Sequence, residues 1–221
     1  MNKKLIVALS GVLLFALFGI AAYLLESQKT AGITEVASDP KIMKRYYSPT
    51  MGPSSAQVTI VEFFDPACET CRKFHPYVKQ LMESNPGRVN IVMRYAPFHP
   101  GSDYIVKLLE AAKLQNLFWE TLEATYESQP FWAQHGNPQP QTIWQYLGGV
   151  GLDIAKVKED MQSQRFEQRI QQDLEDASAL QVTKTPTFFV NGKPLSSFGY
   201  RQLKALVESE ISENYQIKLV F

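Results

Sequence analysis

The sequence predicts an α/β fold in which a β-sheet is split by an inserted all-helical segment. Three observations predict it. Two β-branched and aromatic runs, residues 58–64 (VTIVEFF) and 89–95 (VNIVMRY), flank a stretch of helical periodicity. Residues 98–181 then read as almost entirely helical, and residues 187–190 (TFFV) return to strand composition ahead of a last helical stretch. Strand, helix, strand implies a right-handed βαβ unit with parallel strands. A sheet interrupted by helices accommodates this order with no long structureless loop except 128–141.

In chain order, residues 58–64 lie between Pro53-Ser54-Ser55 and Asp65-Pro66 and carry only Thr59 and Glu62 as polar members, so they read as a buried strand. From Cys71 to Glu83 an amphipathic helix places Phe74, Val78, Leu81 and Met82 on one side. Pro76 should kink it, because proline lacks an N–H, and Asn85-Pro86-Gly87 ends it. After the second strand and Ala96-Pro97, residues 102–127 have helical period, and 128–141 read as a loop because they hold Pro130, Gly136, Pro138 and Pro140. Helices are expected over 141–147, over 153–162 with Asp153 as N-cap, and over 164–180. After the 187–190 strand, Asn191-Gly192 is a strong hairpin signal with a short partner strand. A helix over 200–213 and an alternating strand-like tail, 215–221, complete the chain.

Of the 221 residues, 45% are hydrophobic, and 22 basic side chains balance 22 acidic ones. That balance excludes a phosphate-tracking basic surface, so no nucleic-acid partner is expected. It also argues against a charged disordered chain. Charge is uneven, however: residues 1–25 hold Lys3 and Lys4 and no acid. From Leu5 to Leu25 only Ser10, Gly11 and Gly19 interrupt an apolar run, and about 20 apolar residues suffice to span a bilayer. Two lysines before the run place its start on the cytoplasmic side. Residues 1–25 are expected to act as a retained membrane anchor; a cleaved signal peptide is the alternative, with Gly19-Ile20-Ala21 the sole small-x-small site. Either way the chain beyond about Glu26 is expected outside the cytoplasmic membrane, in the periplasm or its equivalent. Residues 26–41 read as a linker.

The two cysteines, Cys68 and Cys71, exclude a disulfide scaffold and a four-cysteine zinc site. They form a C-x-x-C at the junction from a buried strand into a helix. Cys68 sits at the helix start, and Cys71 lies one turn inside, close enough for the sulfurs to bond. Unpaired N–H groups and the helix dipole stabilise a thiolate there, and a lowered pKa makes Cys68 both nucleophile and leaving group. C-x-x-C also occurs in metal sites, but after an apolar strand in a βαβ pattern it points to redox chemistry. A purely stabilising disulfide is a weak reading, since so short a loop restrains the unfolded chain little. Glu62, an acid in an apolar strand, should have a raised pKa and could exchange protons with Cys71; the bland alternative is a solvated edge residue.

The segments VTIVEFFDPACETCRKFHP and TKTPTFFVNGKPL, with the helical insertion between them, resemble the thioredoxin superfamily, and within it DsbA-like thiol–disulfide oxidoreductases. The resemblance runs from about Pro53 to Ile211. It implies a thioredoxin fold whose first half covers 42–97 and whose second half covers 182–221, with the helical subdomain at 98–181. It implies Cys68 as the attacking and Cys71 as the resolving cysteine, Pro186 as a cis-proline facing the disulfide, Thr185 as the residue whose backbone pairs with an extended substrate, and Glu62 as the buried acid below the site. It further implies thiols of secreted proteins as substrates and a membrane redox partner, quinone-linked or thiol-linked, that resets the site. No cofactor is expected.

One departure bears on direction. The dipeptide between the cysteines is Glu69-Thr70, where strongly oxidising members often carry proline and histidine. Glu69 opposes a Cys68 thiolate, but a first-turn charge is worth only about 0.3–1 kcal/mol. Thiol couples span roughly −270 to −120 mV, about 7 kcal/mol for two electrons. An oxidase is therefore favoured on grounds of compartment, with a reductase or isomerase as the alternative. The rival class is a Cu(I)-binding protein using Cys68, Cys71 and His75. His75 otherwise reads as helix surface, His99 and His135 as loop, and Asp103 and Glu110 as helix-surface charges. Phe118, Trp119 and Trp144 read as core of the insertion, and loop residues Phe131 and Trp132 as core or as a docking surface.

Overall fold

A computed structural model of the protein describes residues 12–25, 27 and 39–215. Five strands form one mixed sheet in the order β1-β3-β2-β4-β5. The strands are β1 (Thr50–Met51), β2 (Val58–Phe64), β3 (Val89–Tyr95), β4 (Thr187–Val190) and β5 (Lys193–Pro194). Strands β2 and β3 run parallel, from the pair Val58 and Val89 to the pair Phe64 and Tyr95, as the βαβ reading requires. The linking helix, α2, spans Glu69–Glu83 and contains Pro76. On its other edge β2 pairs antiparallel with β4, which sets Thr187 beside Phe63. Asn191 and Gly192 both take positive φ, and this primed turn joins β4 to β5.

Alternation along β2 divides the core. Val58, Ile60 and Phe64 pack with Phe74, Val78 and Leu81 of α2 and with Leu203 and Val207 of α7 (Tyr200–Tyr215). Val61 and Phe63 face the other way, onto Val92, Phe189, Ala177, Leu180 and Met43. Both faces of the central strands are thereby covered, which is why these strands read as continuous apolar runs.

Between β3 and β4 the chain inserts α3 (Ser102–Leu114), α4 (Phe118–Trp132), a 3₁₀ helix (Pro140–Tyr146), α5 (Ile154–Asp160) and α6 (Gln164–Ala179). Asp153 caps α5 as expected, accepting from the Lys156 amide at 3.0 Å. The stretch of helical period over 102–127 holds two helices. It breaks at Asn116, which takes φ of 59°, a left-handed geometry that asparagine tolerates. The expected loop over 128–141 is also corrected, since α4 continues through Pro130 to Trp132. Trp132 is fully buried and its Nε1 donates to the Thr125 carbonyl at 3.1 Å; burial of this indole outweighs the local cost of the proline. Phe131 stays exposed and stacks on Tyr146 at 5.5 Å.

Two elements were hidden in the sequence. Residues 40–43, placed at the end of the linker and the start of the next segment, form α1 (Pro40–Met43), capped by Asp39. Strand β1 is only two residues long and pairs antiparallel with β3. Of the strand-like tail, Tyr215 ends α7, and 216–221 lie outside the described residues. Of the apolar run, residues 12–25 are helical and exposed, and 5–11 lie outside the described residues. Among the described residues no helix is long and apolar enough to cross a membrane.

A buried ionic network holds the insertion to the sheet. Arg94 of β3 is fully buried and donates to Asp173 Oδ1 at 2.8 Å and to Asp176 of α6. Asp173 also accepts from the Tyr95 amide at 2.7 Å and the Tyr47 hydroxyl at 2.6 Å. Arg45 closes the network with two bonds to Asp176, at 2.8 and 2.6 Å.

Candidate active site

Strand β2 ends at Phe64, and the chain turns through Asp65-Pro66-Ala67 into α2. Cys68 is the N-cap of α2. Its backbone is extended, and its Sγ accepts from the Cys71 amide at 3.5 Å. The capping role normally taken by an oxygen is thus filled by a sulfur, which places that sulfur at the positive end of the helix. Both thiols are free; Cys68 is 6% exposed and Cys71 fully buried.

The two thiols are driven apart. Hydrogen bonding from the Cys71 side chain, and then from the Thr185 side chain and the amides of Cys71 and Thr70, lowers Cys68 from 9.0 to about 5 against the opposing effect of burial. Burial raises Cys71 well above its ordinary value, reinforced by its bond to Cys68 and the charge of Glu62. At neutral pH one sulfur is a thiolate and its neighbour holds its proton.

Across from Cys68 lies the segment before β4. The Thr185–Pro186 peptide is cis, and the Thr185 carbonyl accepts from the Cys68 thiol at 3.3 Å. Below them, Glu62 is fully buried with neither carboxylate oxygen hydrogen-bonded, so it is no solvated edge residue. Burial, and then the Cys68 charge, push its pKa up to about 8. The structure therefore brings Cys68, Cys71, Thr185 and Pro186 together, with Glu62 electrostatically coupled to both sulfurs.

These shifts imply a pH signature. Between about 4.5 and 8 the folded chain keeps a proton on Glu62 that the unfolded chain has released, so this group costs stability as pH rises. Between about 5 and 9 the unfolded chain keeps a proton on Cys68 that the folded chain has released, so this group adds stability as pH rises. The two slopes oppose each other in the reduced protein. Glu62→Gln removes the first, and the reduced variant should gain on the order of 4 kcal/mol relative to wild type between pH 5 and pH 8. Urea unfolding at both pH values checks this, and a pH-independent difference would contradict it.

The insertion contributes groups that the sequence reading missed. Gln129 of α4, 1% exposed, donates from Nε2 to the Pro66 carbonyl at 2.8 Å and the Cys68 carbonyl at 3.1 Å, clamping the active-site turn. Asp65 is fully buried; it accepts from the Ala67 amide at 2.8 Å, from Ser102 Oγ, and from His99 through both its amide (2.8 Å) and Nδ1 (2.7 Å). In sequence Asp65 looked only like a strand boundary.

His75 is corrected: it is buried, not surface, with Nε2 3.3 Å from Glu123 Oε1. Among the described residues no group of three or more His, Cys, Asp and Glu could hold a metal ion. His135 lies 3.3 Å from Glu69 Oε1, so an insertion-loop imidazole flanks the one acid between the cysteines. Glu110, expected at the surface, is fully buried and pairs with Tyr95 (2.6 Å), Lys113 and Arg169.

Comparison with known proteins places this geometry. A family model described as thioredoxin matches residues 44–209, three quarters of the chain. The Na⁺/H⁺ antiporter NhaA of Herminiimonas arsenicoxydans is 31% identical over 159 residues, covering 72% of this chain and 25% of the antiporter. The chain spans about a quarter of the length of this and other NhaA antiporters that it matches. Disulfide bond formation protein D of Bacillus subtilis is 25% identical over 196 residues, 81% of this chain and 83% of that protein. The oxidised crystal structure of BdbD from Bacillus subtilis shares the fold, with a TM-score of 0.66 at 24% identity over 76% of this chain and 95% of that one.

Proposed function

This chain belongs to the thioredoxin family, and from that premise we propose that it is a thiol–disulfide oxidoreductase that oxidises thiols of secreted proteins outside the cytoplasmic membrane. The observation that carries the direction is the position of Cys68 Sγ as the N-cap of α2, accepting from the Cys71 amide, where hydrogen bonding lowers its pKa to about 5. A stabilised thiolate stabilises the reduced enzyme, and a stabilised reduced form makes the disulfide the stronger oxidant. The name of the Bacillus subtilis relative, disulfide bond formation protein D, favours the same direction.

In the proposed cycle a substrate thiolate attacks Cys68 Sγ of the Cys68–Cys71 disulfide. The S–S bond breaks, its electron pair leaves on Cys71, and Glu62 supplies a proton to that buried sulfur. A second substrate thiolate attacks the substrate sulfur of the mixed disulfide, and Cys68 departs as a thiolate. A low-pKa sulfur is the better leaving group, so release of oxidised substrate is fast. Thr185, whose carbonyl lies 3.3 Å from Cys68 Sγ, aligns an extended substrate against Cys68 by backbone pairing. The apolar segment 5–25 tethers the enzyme at the membrane, where a redox partner restores the disulfide.

Equilibration of the full chain in glutathione buffers, read by mass after thiol alkylation, tests the direction. The expected potential lies nearer −120 than −270 mV, taking roughly those values as the limits for thiol couples. A potential near roughly −270 mV would identify a reductant or isomerase supplied with electrons instead.

A further inference from the structure

Beside the dithiol lies a carboxylate–imidazole pair that the cycle above does not use. Asp65 Oδ2 accepts from both the amide and Nδ1 of His99, and Asp65 Oδ1 is held by the Ala67 amide and Ser102. This network assigns the proton of a neutral His99 to Nδ1 and leaves the lone pair on Nε2. The carboxylate is fully buried while the imidazole is 40% exposed. His99 lines a cavity of about 170 Å³ together with Ala67, Pro100, Gln134, His135 and Pro138. Ala67 immediately precedes Cys68, and His135 of the lining lies 3.3 Å from Glu69, which immediately follows it, so the cavity borders the chain on both sides of Cys68. The titratable groups around it are Asp65 from the β2–α2 turn, His135 from the loop after α4, and Glu69 paired with His135, with Cys68 between Ala67 and Glu69 in the chain.

We propose that His99, oriented by Asp65, is the general base for the incoming substrate thiol. The inference rests on the oxidoreductase reading. The substrate S–H proton passes to His99 Nε2 as the sulfur attacks Cys68. A bond forms between the substrate sulfur and Cys68 Sγ, the Cys68–Cys71 bond breaks, and the electron pair leaves on Cys71. His99 then returns its proton to solvent. The need is quantitative. A cysteine of ordinary pKa, about 8.5, is ionised at pH 6 in only about one molecule in three hundred. A positioned base typically contributes about 10²–10⁴-fold. The carboxylate that fixes the tautomer is the arrangement of an activated-nucleophile triad, with the nucleophile carried by the substrate.

The test uses His99→Asn, whose side-chain amide can still donate to Asp65. Oxidised full-length enzyme is mixed with a cysteine peptide of ordinary pKa, or with an aromatic thiol ionised across the whole range, from pH 5 to pH 8. With the peptide, the variant is expected to be at least about 10-fold slower than wild type at pH 6, the gap closing as pH approaches the peptide pKa. With the ionised thiol the two enzymes should react equally at every pH. Equal slowing with both thiols would make His99 a structural residue and overturn the proposal, as would a peptide rate unchanged by the substitution. Failure of wild type to exchange with either thiol would instead bring down the oxidoreductase reading.

Discussion

Cys71→Ser is expected to accumulate mixed disulfides with substrate proteins, whereas Cys68→Ser is expected to abolish thiol exchange. The asymmetry follows from burial. Cys71 is fully enclosed, and Cys68 is the sulfur that caps the helix and meets the Thr185 carbonyl. Without Cys71, a substrate attached at Cys68 cannot be released by attack from within the protein. Non-reducing electrophoresis followed by mass spectrometry reads the trapped partners. In Cys68→Ser the remaining thiol is buried and its pKa is well above the ordinary value, so almost no thiolate is presented at neutral pH. The loss should approach the full enzymatic rate. Retention of full exchange by Cys68→Ser would mean that the chemistry lies elsewhere.

Arg94→Met should be the most destabilising single change away from the site. It leaves Asp173, which is itself fully buried, without its guanidinium, and removes one of the two arginines from Asp176. Breaking one partner of a buried ion pair typically costs about 3–5 kcal/mol. Replacing Asp173 by asparagine in the same background removes the stranded charge, while Asp176 keeps Arg45, and should recover part of the loss. Urea midpoints measure both. A loss below about 1 kcal/mol for Arg94→Met would show that the network holds the insertion less tightly than its burial implies.

The chemistry was legible in sequence wherever one local pattern carried it. C-x-x-C at a strand-to-helix junction places both sulfurs in one turn whatever the rest of the fold does, and the apolar strand around Glu62 announces its own oddity. Cys68 and Thr185 are far apart in sequence. They meet only through the β2–β4 pairing, and the cis peptide follows from a family resemblance, not from composition. Gln129 and His99 gave no signal at all. Gln129 acts by donating to main-chain carbonyls, which any sequence possesses, and His99 depends on a carboxylate 34 positions earlier. The departures in the insertion have two separate causes. Local punctuation by Pro130 suggested a loop, but burial of Trp132 carried the helix through it, while Asn116 broke a helix whose apolar period continued across the break. Strand β1 is too short to show any period.

Disulfide exchange at Cys68 depends on the separation of the two thiols in pKa, which a thiolate titration reads. Ultraviolet thiolate absorbance of the reduced full chain, repeated in Cys71→Ser to assign the signal to Cys68, should in wild type show one sulfur ionising near pH 5 and the other remaining protonated through neutrality. The variant midpoint should rise, because the Cys71 side-chain hydrogen bond is the largest contribution to the Cys68 shift. A single wild-type transition near 9, the ordinary thiol value, would contradict the account.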